Sequence, residues 1–99
     1  MAKLITVFWR DIPVQIIAKR GRESVKVALS SRFQKAVDRA AMRAGKGSSD
    51  LYLAEWRREP RRCGDDLSAE AEAEAARLEA RYSDEQLERL IKSGGAQQP

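Results

Sequence analysis

The chain of 99 residues contains no histidine and a single cysteine, Cys63. The first absence removes the commonest general base and the commonest neutral metal ligand. The second excludes an internal disulfide and a zinc site built on several thiolates. Cys63 follows Arg61 and Arg62, whose charge favours the thiolate. With no second cysteine or histidine to complete a redox or hydrolytic pair, it reads as an inert thiol. Long hydrophobic runs are missing too. LITVFW is closed by Arg10 and Asp11 and is too short for a signal segment or a membrane span. No phosphate loop is present, since GKGSS lacks the length and the Lys-Ser/Thr that should follow. Carboxylates are plentiful, but none pairs with another in an apolar setting. These absences point to a cytoplasmic, non-enzymatic protein with no cofactor and no metal.

What is present is charge, unevenly spread. Residues 1–63 carry 15 Lys/Arg against 6 Asp/Glu, a balance of +9, while residues 64–99 carry 4 against 9, a balance of −5. The small net charge of +4 therefore hides a division. Residues 1–64 read as a basic α+β body. Residues 65–93 read as an acidic helical segment that packs on the body or extends from it, and 94–99 as a disordered tail. A chain of this size makes one domain at most, with a modest core.

Alternation predicts the strands. From Lys3 to Arg10, Leu4, Thr6 and Phe8 face one way and Ile5, Val7 and Trp9 the other, which suggests a central strand covered, at least in part, on both sides. Pro13 can open the next strand, because the first position need not donate to the ladder. Val25, Val27 and Leu29 form a third short strand or an extended lead-in to a helix. Ser30 or Ser31 then caps a helix that ends at Gly45. Its apolar stripe is Phe33, Ala36, Val37, Ala40, Ala41 and Ala44. The segment 51–58 reads as strand, through the alternation of Tyr52, Ala54 and Trp56, with a short helix capped by Ser49 or Asp50 as the alternative. Arg61 to Asp66 is a linker. Leu67 to Tyr82 is dense in strong helix formers, with Leu67, Ala71, Ala75, Leu78 and Tyr82 on its apolar line. Ser83 to Gln86 opens a last helix by a capping box, which carries Leu87, Leu90 and Ile91. The fold expected is α+β: a small, mainly antiparallel sheet of three or four strands, one covering amphipathic helix, and a long C-terminal helix.

Two features offer themselves as sites. On the first helix, Arg32, Lys35, Arg39, Arg43 and Lys46 fall on one stripe opposite the apolar face. Such a stripe is a solvated face, a phosphate-contacting surface, or a dock for an acidic partner, which could be the chain's own C-terminal helix. The second feature is a repeated Trp-Arg-x-x-Pro, at Trp9-Arg10 and at Trp56-Arg57. Tryptophan beside arginine has the composition of a binding hot spot, although strand tryptophans are most simply core residues. If Val25 to Leu29 is a strand, simple alternation of direction makes a strand at Leu51 parallel to the first, and only then do the two motifs share an edge.

The segment from Val25 to Trp56 also invites comparison with a ribbon-helix-helix element, which binds DNA as a dimer. Against it, the second helix would be cut short at Pro60, and LITVFWRDIPVQII would have no place in that design.

WRDIP, the helix segment FQKAVDRAAMRAG, YLAEWRR and the acidic EAEAARLEARY together resemble the small alphaproteobacterial "virulence factor" domain family over residues 3–91. The resemblance implies a small soluble protein associated with tetrahydrofolate- and corrinoid-linked methyl transfer, and it brings no catalytic residues with it. The expected function is accessory: a module that binds a protein partner through the Trp/Arg strand ends and the basic stripe. Nucleic-acid binding through that stripe is the rival.

Overall fold

A computed structural model describes residues 2–45 and 49–96. In chain order the elements are β1 (Ala2–Trp9), β2 (Ile12–Arg20), β3 (Glu23–Ala28), α1 (Ser31–Arg43), α2 (Ser49–Ala54), β4 (Trp56–Cys63), α3 (Leu67–Arg81) and α4 (Asp84–Lys92). The strands form one antiparallel sheet in the order β3-β2-β1-β4. The α+β class, the central first strand and the long C-terminal helix are all as the sequence indicates.

Local chemistry sets the boundaries. Arg10 turns the β1–β2 hairpin with φ 53, a left-handed conformation that a non-glycine residue adopts only when neighbours hold it. Val7 pairs with Gln15 and Phe8 with Pro13, so Val14 is an extra residue on β2 and the ladder bulges there. The Val14 carbonyl accepts from the Leu29 N–H at 2.9 Å, which anchors the exit of β3. Gly45 ends α1 in the left-handed region, at φ 72. Asp66 caps α3 by accepting from the Ala69 N–H, and Ser83 with Gln86 closes the capping box of α4.

A single core joins the helices to one face of the sheet. Leu4, Thr6, Ile16 and Ala18 alternate onto that face, and Leu67, Ala71, Ala75 and Leu78 of α3 lie among the same buried residues. Phe33, Ala36, Val37, Ala40 and Ala41 of α1 and Leu87, Leu90 and Ile91 of α4 complete the cluster, together with Trp9 and Ile12 at the end of the sheet. Each large side chain removed from water here contributes about 1.5–3 kcal/mol.

Two expectations need correction. The second face of β1 is not covered by a helix layer: Ile5, Val7 and Ile17 lie outside the helix-packed core. Nor is 51–58 a strand. Residues up to Ala54 belong to α2, and the strand starts at Trp56 and runs on through Pro60 to Cys63, across the first half of the supposed linker. β4 tolerates Pro60 because it is an edge strand, where a missing N–H on the outer side breaks no ladder bond.

Candidate functional site

The shifted boundary of β4 decides where the two Trp-Arg motifs meet. β4 runs antiparallel to β1, not parallel. Trp9 ends β1 while Trp56 begins β4, so the two are direct cross-strand partners. The motifs come together, and their groups turn inward. Trp9 is fully buried. Its indole N–H donates to the Tyr52 carbonyl at 2.8 Å, and the Tyr52 ring lies 5.9 Å from Trp9 and 5.7 Å from Trp56. Arg10 donates to Glu55 at 2.8 Å and to the Gly94 carbonyl at 3.0 Å, and the Asp11 N–H donates to Gly95 at 2.9 Å. Gly95, at φ 91, passes so close that a Cβ there would stand 2.8 Å from the Trp9 ring. Arg57 lies over the Phe8 ring at 4.5 Å and pairs with Asp11 and Glu59. Trp9, Arg10 and their neighbours thus form a clasp that ties the first hairpin, α2 and the C-terminal turn together.

The basic stripe of α1 is answered from within the chain. Arg32 donates to Glu79 and to Asp84, Arg39 makes a two-pronged pair with Glu88 at 3.0 and 3.1 Å, and Arg43 donates to the Lys92 carbonyl. Lys35 makes no ion pair among the described residues, and Lys46 lies outside them. Glu79 also accepts from the Ser30 hydroxyl and N–H at the start of α1. Burial alone would raise the Glu79 carboxyl, but the bonds from Ser30 and Arg32 outweigh it and hold the pKa below the ordinary range. Glu74, buried on α3, is clamped by Arg61 of β4 and by Arg77. There too burial pushes up, and the two guanidinium partners pull the carboxyl down further.

Once those charges are matched, the remaining concentration of positive charge lies on the helix-free face of the sheet. Strand register sorts that face into three ranks. The first crosses Ser24, Lys19, Lys3 and Arg62; the second Lys26, Ile17, Ile5 and Pro60; the third Ala28, Gln15, Val7 and Arg58. Ile17, Ile5 and Val7 make an apolar centre, with Lys3, Lys19, Lys26, Arg58 and Arg62 exposed around it. None of the ranks carries a carboxylate, and none of those five cations has an ion pair among the described residues. Lys3 stands directly between Lys19 and Arg62, an arrangement that like charges oppose. The sequence carried a signal for this face in the alternation of Lys3 with Ile5 and of Lys19 with Ile17, but only the register brings four strands' contributions into one surface.

Cys63 belongs to the opposite face, half-buried against the core. Burial first, then Glu70, raises its thiol pKa despite Arg61, so the expectation that arginine neighbours favour the thiolate does not hold. Among the described residues no group of His, Cys, Asp and Glu is placed to hold a metal ion, and no helix is long and apolar enough to cross a membrane.

A family model described as Virulence factor matches residues 7–91. No curated protein and no solved structure matches the chain.

Proposed function

We infer that this chain, which belongs to the Virulence factor family, is a non-enzymatic protein-interaction module. The observation that carries the reading is the helix-free sheet face, an apolar centre ringed by cations that no carboxylate among the described residues pairs with. In this reading the docking surface is the sheet face. Arg32, Arg39 and Arg43 of α1, and Trp9, Arg10 and Arg57 of the clasp, are engaged internally, and their role is to hold the scaffold that presents it. Nucleic-acid binding through the α1 stripe loses its main support when Arg32 and Arg39 are matched by Glu79, Asp84 and Glu88. The ribbon-helix-helix arrangement is disfavoured as well. Its strand would be left free for a second chain, but β3 is paired with β2, and its second helix would be only the six-residue α2.

The family resemblance adds a working identity for the partner: an enzyme of tetrahydrofolate- or corrinoid-linked methyl transfer in the cytoplasm, with this chain as its accessory subunit. The test is affinity capture from native lysate with the wild-type chain and with the double variant Lys26→Glu/Arg58→Glu. One defined enzyme held by the wild type and lost by the variant supports the module. Recovery of nothing above background at several salt concentrations, or equal recovery by both chains, refutes it.

A further inference from the structure

We propose that the helix-free sheet face takes an acidic amphipathic segment of a partner protein, apolar on one side, with carboxylates along the edge that meets Lys19, Lys3 and Arg62. The proposal rests on the reading of this face as the docking surface and adds the chemistry of its occupant.

The face and such a segment are complementary in charge and in spacing. The first rank sets three cations side by side across adjacent strands. Neighbouring strands lie about 4.8 Å apart, close to the spacing of successive apolar side chains on one helix face, about 5–6 Å. The second rank runs parallel to the first, with Ile17 and Ile5 at its centre. A segment lying across the strands over Ile17, Ile5 and Pro60 would rest its apolar side on the second rank. Its acidic edge would then lie over the first, with Arg58 and Lys26 at the rims.

Other occupants fit less well. Face-to-face pairing with a second copy would set five cations against five, with no carboxylate on either side. A single nucleic-acid strand needs exposed rings on which bases stack. None of the three ranks carries an aromatic residue.

The experiment uses the full chain and four probes: a labelled helical peptide of about 16 residues with leucines on one face and glutamates beside them, the same peptide with serine for leucine, an oligothymidine, and vesicles of mixed neutral and anionic phospholipid. Binding is read by fluorescence polarisation or co-sedimentation, and its location by amide shift changes. The leucine–glutamate peptide is expected to bind about tenfold more tightly than its serine counterpart and to shift the amides of Ile5, Val7 and Ile17. Lys3→Glu/Arg62→Glu should lower its affinity about tenfold. Equal affinity for the two peptides, tighter binding of the oligothymidine or of the vesicles, or shifts confined to other surfaces would overturn the proposal. Failure here while lysate capture still depends on Lys26 and Arg58 refutes only the acidic occupant. Peptide binding on this face without any captured protein refutes the interaction module instead.

Discussion

Lys3→Glu is expected to make the protein more stable, the reverse of what most charge reversals on a folded surface do. Lys3 faces Lys19 on one side and Arg62 on the other. Like charges directly opposite one another in an antiparallel pair are unfavourable, and opposite charges there are favourable, by about 0.2–1 kcal/mol per pair. The substitution turns two repulsive pairs into two attractive ones. All three side chains are exposed, so water screens them and the low end of the range applies. A net gain of about 1 kcal/mol remains, which for a domain of this size corresponds to a rise of about 4–8 °C in Tm. Lys3→Gln removes the repulsion without adding attraction and should give about half that gain. The assay is thermal unfolding by circular dichroism in dilute buffer and again at about 1 M salt, where the screening length falls to about 3 Å and the difference should largely vanish. A Tm at or below wild type in dilute buffer would refute the stacked-cation reading. So would a gain that survives high salt, because the cause would then lie elsewhere. The same substitution should weaken the acidic peptide, so that stability and binding move in opposite directions.

Trp9→Ala empties the centre of the clasp and strands the Tyr52 carbonyl. The expected loss is about 3–5 kcal/mol, a large share of what a chain this long possesses, and a urea midpoint close to wild type would contradict the clasp. The double change Asp84→Asn/Glu88→Gln removes two exposed carboxylates that answer Arg32 and Arg39. Its effect on stability should stay within about 1 kcal/mol, and elution from a heparin column should move to higher salt; unchanged elution would reject masking of the α1 stripe by the C-terminal helices. Glu74 and Glu79 both have pKa values lowered by folding, so their contribution is full above the unfolded carboxylate pKa, about 4.3, and is lost as pH falls through the folded values. Tm should therefore drop steeply below about pH 4, and Glu74→Gln should flatten that drop; an equally steep decline in the variant would show that other groups drive it.

Most of the helical half of this architecture was legible because its signals are local. Capping at Ser83, the glycine after α1 and the Leu67-Ala71-Ala75-Leu78 line each lie within a few turns of chain, and each recurs in the structure. The sheet was legible strand by strand but not as a surface. Whether Ile5 and Ile17 are covered depends on which elements pack where. Apolar residues on both sides of β1 suggested a second layer, whereas Ile5, Val7 and Ile17 lie outside the helix-packed core, among exposed lysines and arginines. Residues 51–58 misled for a related reason. Tyr52, Ala54 and Trp56 alternate as a strand would, but α2 needs Tyr52 between the two tryptophans, and that tertiary demand prevails over a two-residue period.

The same comparison bears on how charge should be read in a chain divided into a basic body and an acidic tail. The α1 stripe was the more visible cluster, since a helix writes its face at regular spacing in one segment. Visibility of that kind is shared by surfaces that fold back on their own complement. Glu79, Asp84 and Glu88 occur in the tail at separations that reach Arg32 and Arg39, so three of the nine acids after residue 64 are the counterpart of α1. Subtracting matched pairs before searching for an interface moves attention from the helix to Lys3, Lys19, Lys26, Arg58 and Arg62, which come from four separate strands. The unmatched set also opposes its own stability at Lys3, and a surface that keeps like charges adjacent without local relief is the better candidate for an acidic ligand. Lys3→Glu separates the two cases: a stabilised chain that still binds the acidic peptide as wild type does would mean that the cations of the first rank are not the ones the partner meets.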